Sequence, residues 1–176
     1  MALVRDALHR RDRTARRPDR PVGERARMSL DEADRRARHR EGRPLRSDAM
    51  QRRHVSSGSP YEPIIGFSRA VRAGHHVAVG ATAPIRPDGS CDPDPDAQAR
   101  RCLAIIEAAL VEAGAAMTDV VRTRTYLVAH DDWEAVGRVH GAIFGDVRPV
   151  STMVVVSGFI DPRWKVEFEA DAIVAE

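Results

Sequence analysis

The distribution of large apolar side chains most constrains where this chain of 176 residues can fold. Every Phe, Tyr, Trp and Ile lies beyond Met50. Residues 1–49 hold 15 arginines, no lysine and nine acidic residues, a net charge of +6, and lack the side chains that build a core. We therefore predict that residues 1–49 are disordered and that residues 50–176 form one domain, in which 13 basic and 17 acidic residues give a net charge of −4.

Three interpretations of the Arg-rich segment 1–49 compete. A nucleic-acid-binding arm would use its arginines on phosphates, but nine interspersed acids and the missing aromatic residues weaken that interpretation. An organellar transit peptide should be poor in acids. The third interpretation is an appended tail, translated from a start codon upstream of a true start at Met50, and we favour it. Nucleic acid is accordingly not an expected partner.

The remaining composition points to a reducing, aqueous compartment. Cys91 and Cys102 form neither a disulfide framework nor a CxxC metal motif, so we expect a cytoplasmic protein. The chain has no run of 18 or more apolar residues and no visible signal peptide, so a membrane span is not expected.

Residue periodicity predicts seven elements in the order β-β-α-β-α-β-β. A hairpin turns at Gly74, the first helix begins with Asp96 as its cap and ends at Gly114, and the second begins at Asp131 or Asp132 and ends at Gly145. The predicted strands are 68–72, 75–79, 120–128, 153–156 and 165–174.

The same periodicity predicts which side chains are buried. In the first helix these are Leu103, Ile106, Leu110 and Val111, and in the second Val136, Val139, His140 and Phe144. In the strand 120–128, Val121, Thr123, Thr125 and Leu127 should face the core, and 153–156 reads as a buried strand. These elements predict an α+β sandwich, a mixed sheet with two helices on one face, whose uncovered face meets a partner subunit.

Several motifs together resemble the RidA/YjgF family. They are GFSRAVRAGHHVAVGATAPIRPDG, LAIIEAALVEAGA, DVVRTRTYLVAHDDWEAVGRVHGAIFG, RPVSTMVVV and KVEFEADAIV, in the family's order from Val55 to Ala175. The resemblance implies a chorismate-mutase-like fold and a homotrimer, built as a barrel of sheets with a cleft between each pair of subunits. It also implies hydrolysis of reactive enamines or imines to a carbonyl compound and ammonia, without a metal or an organic cofactor. Some relatives carry an older label, endoribonuclease.

That chemistry needs a cation for the substrate carboxylate and a carboxylate that holds water. The family's water-positioning glutamate falls on Glu167, with Glu169 on the same strand face. The competing interpretation is a pair of solvated or salt-bridged glutamates on an edge strand. The family's arginine position is occupied by Val150. Arg148 lies two residues earlier, beyond Pro149, and is a displaced candidate for the substrate anchor.

Other positions of the implied site also depart from the family pattern. Phe67 stands where the family has Tyr, and Ala81 falls in a segment where the family has Val-Ser-Gly-Gln. Ser151 follows Val150. Thr152 takes the place of a residue whose backbone contacts the ligand, and a strand threonine without a role is the equal alternative. Arg124, on the polar face of its strand, is a second candidate anchor, and a salt bridge or solvent contact is the competing interpretation. The chain thus resembles a divergent branch that lacks the deaminase arginine.

Three functions remain open from the sequence. The first is hydrolysis of a small enamine or imine, with Glu167 as the catalytic residue. The second is a trimer that binds a small imine, enamine or carbonyl metabolite without catalysis, with Val150 marking the lost activity. The third is RNA binding or cleavage, which would depend on the Arg-rich segment 1–49.

Overall fold

A computed structural model describes residues 51–175 of the chain. The prediction of disorder for residues 1–49 lies outside the described residues. Within them, the predicted order is confirmed, with one strand added before the hairpin. The strands are β1 (Arg52–Val55), β2 (Ala70–Ala73), β3 (His76–Thr82), β4 (Val120–Leu127), β5 (Val150–Val155) and β6 (Val166–Ile173), and the helices are α1 (Pro95–Glu112) and α2 (Trp133–Phe144).

The strands form one mixed sheet in the order β1-β2-β3-β6-β4-β5. Neighbouring strands are antiparallel except for β4 and β5, which are parallel and are joined through α2. The last strand in sequence, β6, therefore lies between β3 and β4 near the middle of the sheet, while β5 forms one edge. This α+β architecture confirms the predicted fold class.

Local signals set the ends of α1, with one correction. The N-terminal cap is Asp94, not Asp96, and its carboxylate accepts a hydrogen bond from the backbone N–H of Asp96. The predicted stop at Gly114 is confirmed, because that glycine has φ +76° and follows the last helical turn. The Arg72 guanidinium donates to the carbonyls of Ala113 and Gly114, which places a cation at the helix C-terminus.

The two helices cover one face of the sheet. Helix α1 packs across β6 and β3, and α2 packs beside α1. The predicted core positions of both helices are buried apart from Val111, which is 64% exposed, and His140, which is partly buried. Strand β6 contributes alternate residues to this core, namely Val166, Phe168, Ala170 and Ala172.

The opposite face of the sheet, which we call the open face, carries charged residues at its centre. It carries Glu167, Glu169 and Asp171 of β6 between the cation Arg124 and the histidine His76. Thr123, Thr125 and Leu127 face the core as predicted, but Val121 is 42% exposed. The cause is a bulge, because the pairing of β4 with β6 shifts by one residue between Val120 and Arg122.

The prediction of a buried strand at 153–156 is wrong. Strand β5 is longer and begins at Val150, and Val150, Val154 and Val155 are 63%, 43% and 53% exposed. Only Met153 of this strand packs partly against the core. The apolar run that suggested burial therefore belongs to a sheet edge, whose outer backbone groups have no strand beside them among residues 51–175.

The described helices include none that is both long and apolar enough to cross a membrane. Cys91 and Cys102 are both free thiols, and Cys102 is fully buried in the core.

Candidate functional site

Glu167 lies where β6, β3 and the start of β2 come together. We call this region the Glu167 corner, and define it by Phe67, Arg69, Ala81, Thr82 and Glu167. Glu167 pairs with Tyr126 of β4 and is partly buried, with its side chain on the open face. The neighbouring residue Phe168 points to the other face and is fully buried, so the backbone that carries Glu167 is fixed by the core.

A bulge in β3 shapes this corner. The pairing of β3 with β6 shifts between Val79 and Thr82, so Ala81 is exposed while Thr82 is buried and pairs with Phe168. The Arg69 guanidinium donates to the Thr82 hydroxyl (2.9 Å) and to the Ala81 carbonyl (3.2 Å). The Thr82 hydroxyl in turn donates to the Gly80 carbonyl (2.8 Å). Bulges often aim a side chain beside a functional site, and this one holds Arg69 at the corner.

The electrostatics of the corner favour a carboxylate that can accept a proton. Burial raises the pKa of the Glu167 carboxyl, the Arg69 guanidinium lowers it, and the negative charge of Glu169 raises it, with a net result above 4.5. Burial also lowers the pKa of the Arg69 guanidinium. The negative charge of Glu62 is the largest effect that raises it. A carboxylate with a raised pKa is a stronger base near neutral pH.

Glu62 begins a short π-helix, Glu62–Gly66, in the loop that leads to the corner, and its carboxylate is held by neighbouring serines. Its carboxylate accepts hydrogen bonds from the Ser56 hydroxyl and from the hydroxyl and backbone N–H of Ser57. Those hydrogen bonds lower the pKa of the Glu62 carboxyl. Phe67, at the end of this loop, is 40% exposed and offers an apolar ring where the chain enters β2.

Arg124 forms ion pairs with two carboxylates of its own sheet. One guanidinium nitrogen lies 3.2 Å from a Glu169 oxygen and 3.3 Å from an Asp171 oxygen. Burial and the charge of Glu169 raise the pKa of the neighbouring Tyr126 phenol, and a hydrogen bond to Glu169 contributes to the same shift. Glu169 is therefore an ion-paired residue of the open face, whereas no ion pair involving Glu167 occurs within residues 51–175.

A second group of predicted residues lies on the edge strand. We call it the β5 edge, and define it by Arg148, Val150, Ser151 and Thr152. Val150 and Thr152 pair with Arg122 and Arg124 and so share the open face, while Ser151 pairs with Thr123. The Thr123 hydroxyl lies 2.9 Å from the His140 ring nitrogen Nε2 and donates to the Ser151 hydroxyl at 3.2 Å.

Arg148 has a local role at the end of α2. Its backbone lies in the left-handed region with φ 51°, and its N–H donates to the Phe144 carbonyl at 2.8 Å. Its guanidinium donates to the Gly145 carbonyl at 3.1 Å. Both contacts satisfy carbonyls at the C-terminus of the helix, and the side chain is exposed.

The Glu167 corner and the β5 edge do not meet within one copy of the chain. Val150 and Glu167 are separated by two strand spacings and by four residues of register, which amounts to about 10 Å across the strands and 13 Å along them. Arg148 lies still further from Glu167, at a distance that its side chain does not span. The predicted site residues thus form two separate groups, the Glu167 corner and the β5 edge. Each group holds only part of the site expected from the sequence.

The sequence interpretation missed two features. The sequence places Arg69 only in a strand, although its position one residue before the core-facing Ala70 sends it to the opposite face, where its charge lowers the pKa of the Glu167 carboxyl. The hydrogen-bonded series His140, Thr123 and Ser151 was also missed, because it joins a helix to two strands that are distant in sequence. Across residues 51–175, no group of three or more His, Cys, Asp or Glu residues is arranged to hold a metal ion.

Comparisons with known proteins agree with this fold. Residues 58–174 match the family model described as Endoribonuclease L-PSP. An uncharacterized protein of Streptomyces coelicolor is 41% identical over 129 residues, which cover 73% of this chain and 95% of that protein. A RutC family protein of Pyrococcus abyssi is 33% identical over 98 residues, 54% of this chain and 77% of the relative.

The solved structures include a similar protein with full coverage of its own chain. Rv2704 from Mycobacterium tuberculosis, described as a member of the YjgF/YER057c/UK114 family, is 47% identical with a TM-score of 0.65, and the match covers 70% of this chain and 100% of that one. The matched family model, the identity to relatives and the α+β architecture agree, and this chain therefore belongs to the YjgF/RidA family, the Endoribonuclease L-PSP family of the matching model.

Proposed function

We propose that the chain hydrolyses a small reactive imine or enamine to a carbonyl compound and ammonia, at a cleft between two subunits. The observation that carries the proposal is Glu167: the glutamate at the family's water-positioning site is partly buried, free of ion pairs with described residues, and has a raised pKa. Glu169, its neighbour on the same face, is by contrast ion-paired with Arg124.

In the proposed reaction, Glu167 orients a water molecule against the imine carbon. The water oxygen adds to that carbon, one water proton passes to the Glu167 carboxylate, and the imine nitrogen takes up a proton from solvent. The resulting carbinolamine then loses its C–N bond, ammonia leaves with the proton held by Glu167, and the hydroxyl proton is released as the carbonyl forms. No metal, redox step or organic cofactor enters this balance.

A subunit cleft is part of the proposal because one copy supplies only half of the expected residues. The Glu167 corner brings the base, and the β5 edge brings the backbone and hydroxyl groups of Ser151 and Thr152. The exposed valines of β5 favour a second copy as their cover, because exposed apolar edge strands are commonly paired or covered. A homotrimer closes such head-to-tail contacts into a ring. We keep the cytoplasm as the proposed compartment, since both thiols are free.

The first test of this function is turnover of imines generated in situ by the purified full chain, 2-aminoacrylate and bulkier imino acids among them. Glu167→Gln should lower kcat/KM at least about 100-fold, because it removes the base but keeps the shape. Glu169→Gln is the matched control on the same face and should retain most of the activity. The rising limb of the pH profile should lie above pH 4.5, since the Glu167 pKa is raised and the ionised form is the base. Equal losses in the two variants would contradict the assignment of Glu167.

Mixed oligomers test whether the site is shared. Thr152→Trp places a large ring on the β5 edge, and Glu167→Gln removes the base from the corner, so each variant alone should be inactive. When the two are unfolded together and reassembled, about a quarter of the clefts combine an intact corner with an intact edge and should recover about that fraction of wild-type turnover. Mixtures that stay inactive, although the variants assemble together, would exclude a shared cleft.

RNA cleavage, which the description of the matched family names, has weaker support in this chain. Residues 50–176 carry a net charge of −4, and phosphate binding is dominated by basic charge. A small-metabolite trimer without catalysis is the outcome that would follow if a folded, assembled protein turned over none of the imines.

A further inference from the structure

We propose that Ser151 is a nucleophile for acyl transfer, activated by His140 through the Thr123 hydroxyl, and that its substrates are activated acyl esters. The three residues form a hydrogen-bonded series, which we call the Ser151 relay. The activity is separate from the proposed imine hydrolysis, because the relay lies on the helix side of β4 and β5 and does not involve Glu167 or the open face.

The first step of the argument is the geometry of the relay. The Thr123 Oγ1 lies 2.9 Å from Nε2 of the His140 ring and 3.2 Å from the Ser151 Oγ. Thr123 is fully buried, His140 is partly buried and Ser151 is exposed. Thr123 and Ser151 are directly paired in the parallel ladder of β4 and β5, so the backbone fixes their separation. The relay therefore connects a base inside the fold to a hydroxyl at its surface.

The second step concerns the direction of the hydrogen bonds. Each hydroxyl carries one proton and can also accept, so Thr123 and Ser151 exchange the roles of donor and acceptor when their protons rotate. With the imidazole proton of His140 on Nδ1, Nε2 accepts from Thr123, and Thr123 accepts from Ser151. In that arrangement the Ser151 proton has a path to a base.

The third step is that His140 is neutral at neutral pH. Burial lowers the pKa of its imidazole, and no charged group of residues 51–175, on α1 or elsewhere, contributes to the shift. The side chains against the ring are the Thr123 hydroxyl from β4 and the Phe144 ring from α2, with 4.8 Å between the ring centroids. The unprotonated ring is the form that accepts a proton.

The edge position of β5 supplies donors for an oxyanion. Alternate residues of a strand direct their backbone groups to opposite sides, so the N–H of either Ser151 or Thr152 points away from β4. Strand β5 has no second strand beside it within residues 51–175. A backbone N–H next to the nucleophile stabilises the negative charge that develops on the carbonyl oxygen of the ester.

In the proposed reaction, the Ser151 Oγ forms a bond to the acyl carbon. Its proton passes to Thr123 while the Thr123 proton passes to His140, and the bond between the acyl carbon and the leaving oxygen or sulfur then breaks. Water next adds to the acyl carbon and gives a proton to the relay, the bond to Oγ breaks, Ser151 regains its proton and a carboxylic acid leaves. His140 lies one hydroxyl away from the leaving group, so the best substrates are aryl esters and thioesters, whose leaving groups depart without a proton.

The test uses p-nitrophenyl acetate and the full chain. Absorbance measures release of nitrophenolate, and mass spectrometry of peptides locates the acetyl group. Wild type should be acetylated at Ser151, and Ser151→Ala should lose this reaction. Thr123→Val keeps the shape of the buried side chain without the hydroxyl and should lower the rate at least about 10-fold. Ser157→Ala is the matched control and should react as wild type does, because Ser157 is exposed just beyond β5 without a hydrogen-bond partner among the described residues.

The pH profile separates a proton relay from a structural role. Because the neutral imidazole is the base and its pKa is lowered, the rate of Ser151 acetylation should fall as the pH drops through a value below 6.5 and should be level above it. His140→Gln should lower the level rate at least about 10-fold and remove this inflection. A serine without a relay reacts through its alkoxide, and its rate rises continuously with pH.

Three outcomes would overturn the proposal: acetylation of other residues while Ser151 stays free, an unchanged rate in Thr123→Val, or a rate in wild type that rises continuously with pH. If circular dichroism shows that Thr123→Val or His140→Gln is unfolded, the wild-type profile together with Ser151→Ala decides, since Ser151 is exposed and its substitution leaves the core intact.

Discussion

Glu167 of the corner and Val150 and Thr152 of the β5 edge lie on the same face of one sheet, yet the two groups are held in different ways. At the corner, Arg69, Ala81 and Thr82 are joined by hydrogen bonds within the chain, and Glu167 is partly buried above a core residue. At the edge, Val150 is 63% exposed and Thr152 is exposed as well. The corner is organised by its own copy, and the edge presents its side chains outward.

The position of each strand in the sheet explains the difference. Strand β6 has a strand on both sides and the helices beneath it, and its alternate residues are buried. Strand β5 pairs only with β4 within the described residues. A base needs a fixed, partly dry position, while an interface needs exposed apolar area. The comparison teaches that the two halves of the proposed site meet different physical requirements.

The largest expected effect is on stability, from removing the core side chain next to Glu167. Phe168→Ala removes a fully buried ring directly beside Glu167 in sequence and should lower the free energy of unfolding by about 3–5 kcal/mol. Urea unfolding of the full chain measures it. Val155→Ala on the edge strand is the matched control and should cost less than about 1 kcal/mol in the separated copy. Similar losses in both variants would mean that β5 is packed as tightly as β6.

The next prediction concerns the edge. Val154 is 43% exposed on the open face, and Val154→Asp would bury a charge in any contact made by that face of β5. We expect the dissociation constant of the oligomer to rise at least about 30-fold, with the fold of the single copy retained. Analytical ultracentrifugation over a concentration series measures assembly, and circular dichroism measures the fold. An unchanged oligomer would place the contact between copies elsewhere.

The sequence predicted the corner only in part. The family resemblance points to Glu167, and strand alternation puts Glu169 on the same face, as the structure has it. The bulge at Gly80 and Ala81 does not follow from alternation, because a single shifted pair in the ladder leaves no periodic signal, and Arg69 gains its position from that bulge. Asp94 rather than Asp96 caps α1 for a related reason: two acids on either side of Pro95 both fit the pattern, and the geometry of one turn decides between them.

The edge was harder to predict for a different reason. The run from Val150 to Val156 is apolar enough for a buried strand, and composition does not distinguish a strand buried by its own chain from one that is exposed at an edge. The position of β5 in the sheet order makes the difference. The role of Arg148 at the end of α2 was equally hard to predict. It depends on a left-handed backbone conformation, which the sequence Arg-Pro does not predict.

A smaller effect tests the hydrogen-bonded series behind the edge. Burial lowers the pKa of the His140 imidazole below 6.5, where its ring lies against Thr123 and Phe144. The unfolded chain therefore binds a proton more readily than the folded chain, and the free energy of unfolding should fall as the pH drops below about 6.5. Urea unfolding between pH 7.5 and about pH 5, the range in which histidine titrates, measures this change in the free energy of unfolding. His140→Gln should flatten that part of the profile, and an unchanged slope would assign it to other groups.

The smallest effect separates the local role of Arg148 from a role in binding. A left-handed residue at a helix C-terminus is most favourable as glycine, so Arg148→Gly should relieve the strain of φ 51° and offset the lost contact with the Gly145 carbonyl. We expect stability to rise by about 0.5–1 kcal/mol, measured as a higher unfolding midpoint in urea. Arg148→Ala, which loses the contact and keeps the strain, should be slightly less stable than wild type. Because the contacts of Arg148 are those of a helix end, both variants should keep the turnover of the wild type. A loss of turnover in both, with their folds intact, would return the anchor to the β5 edge.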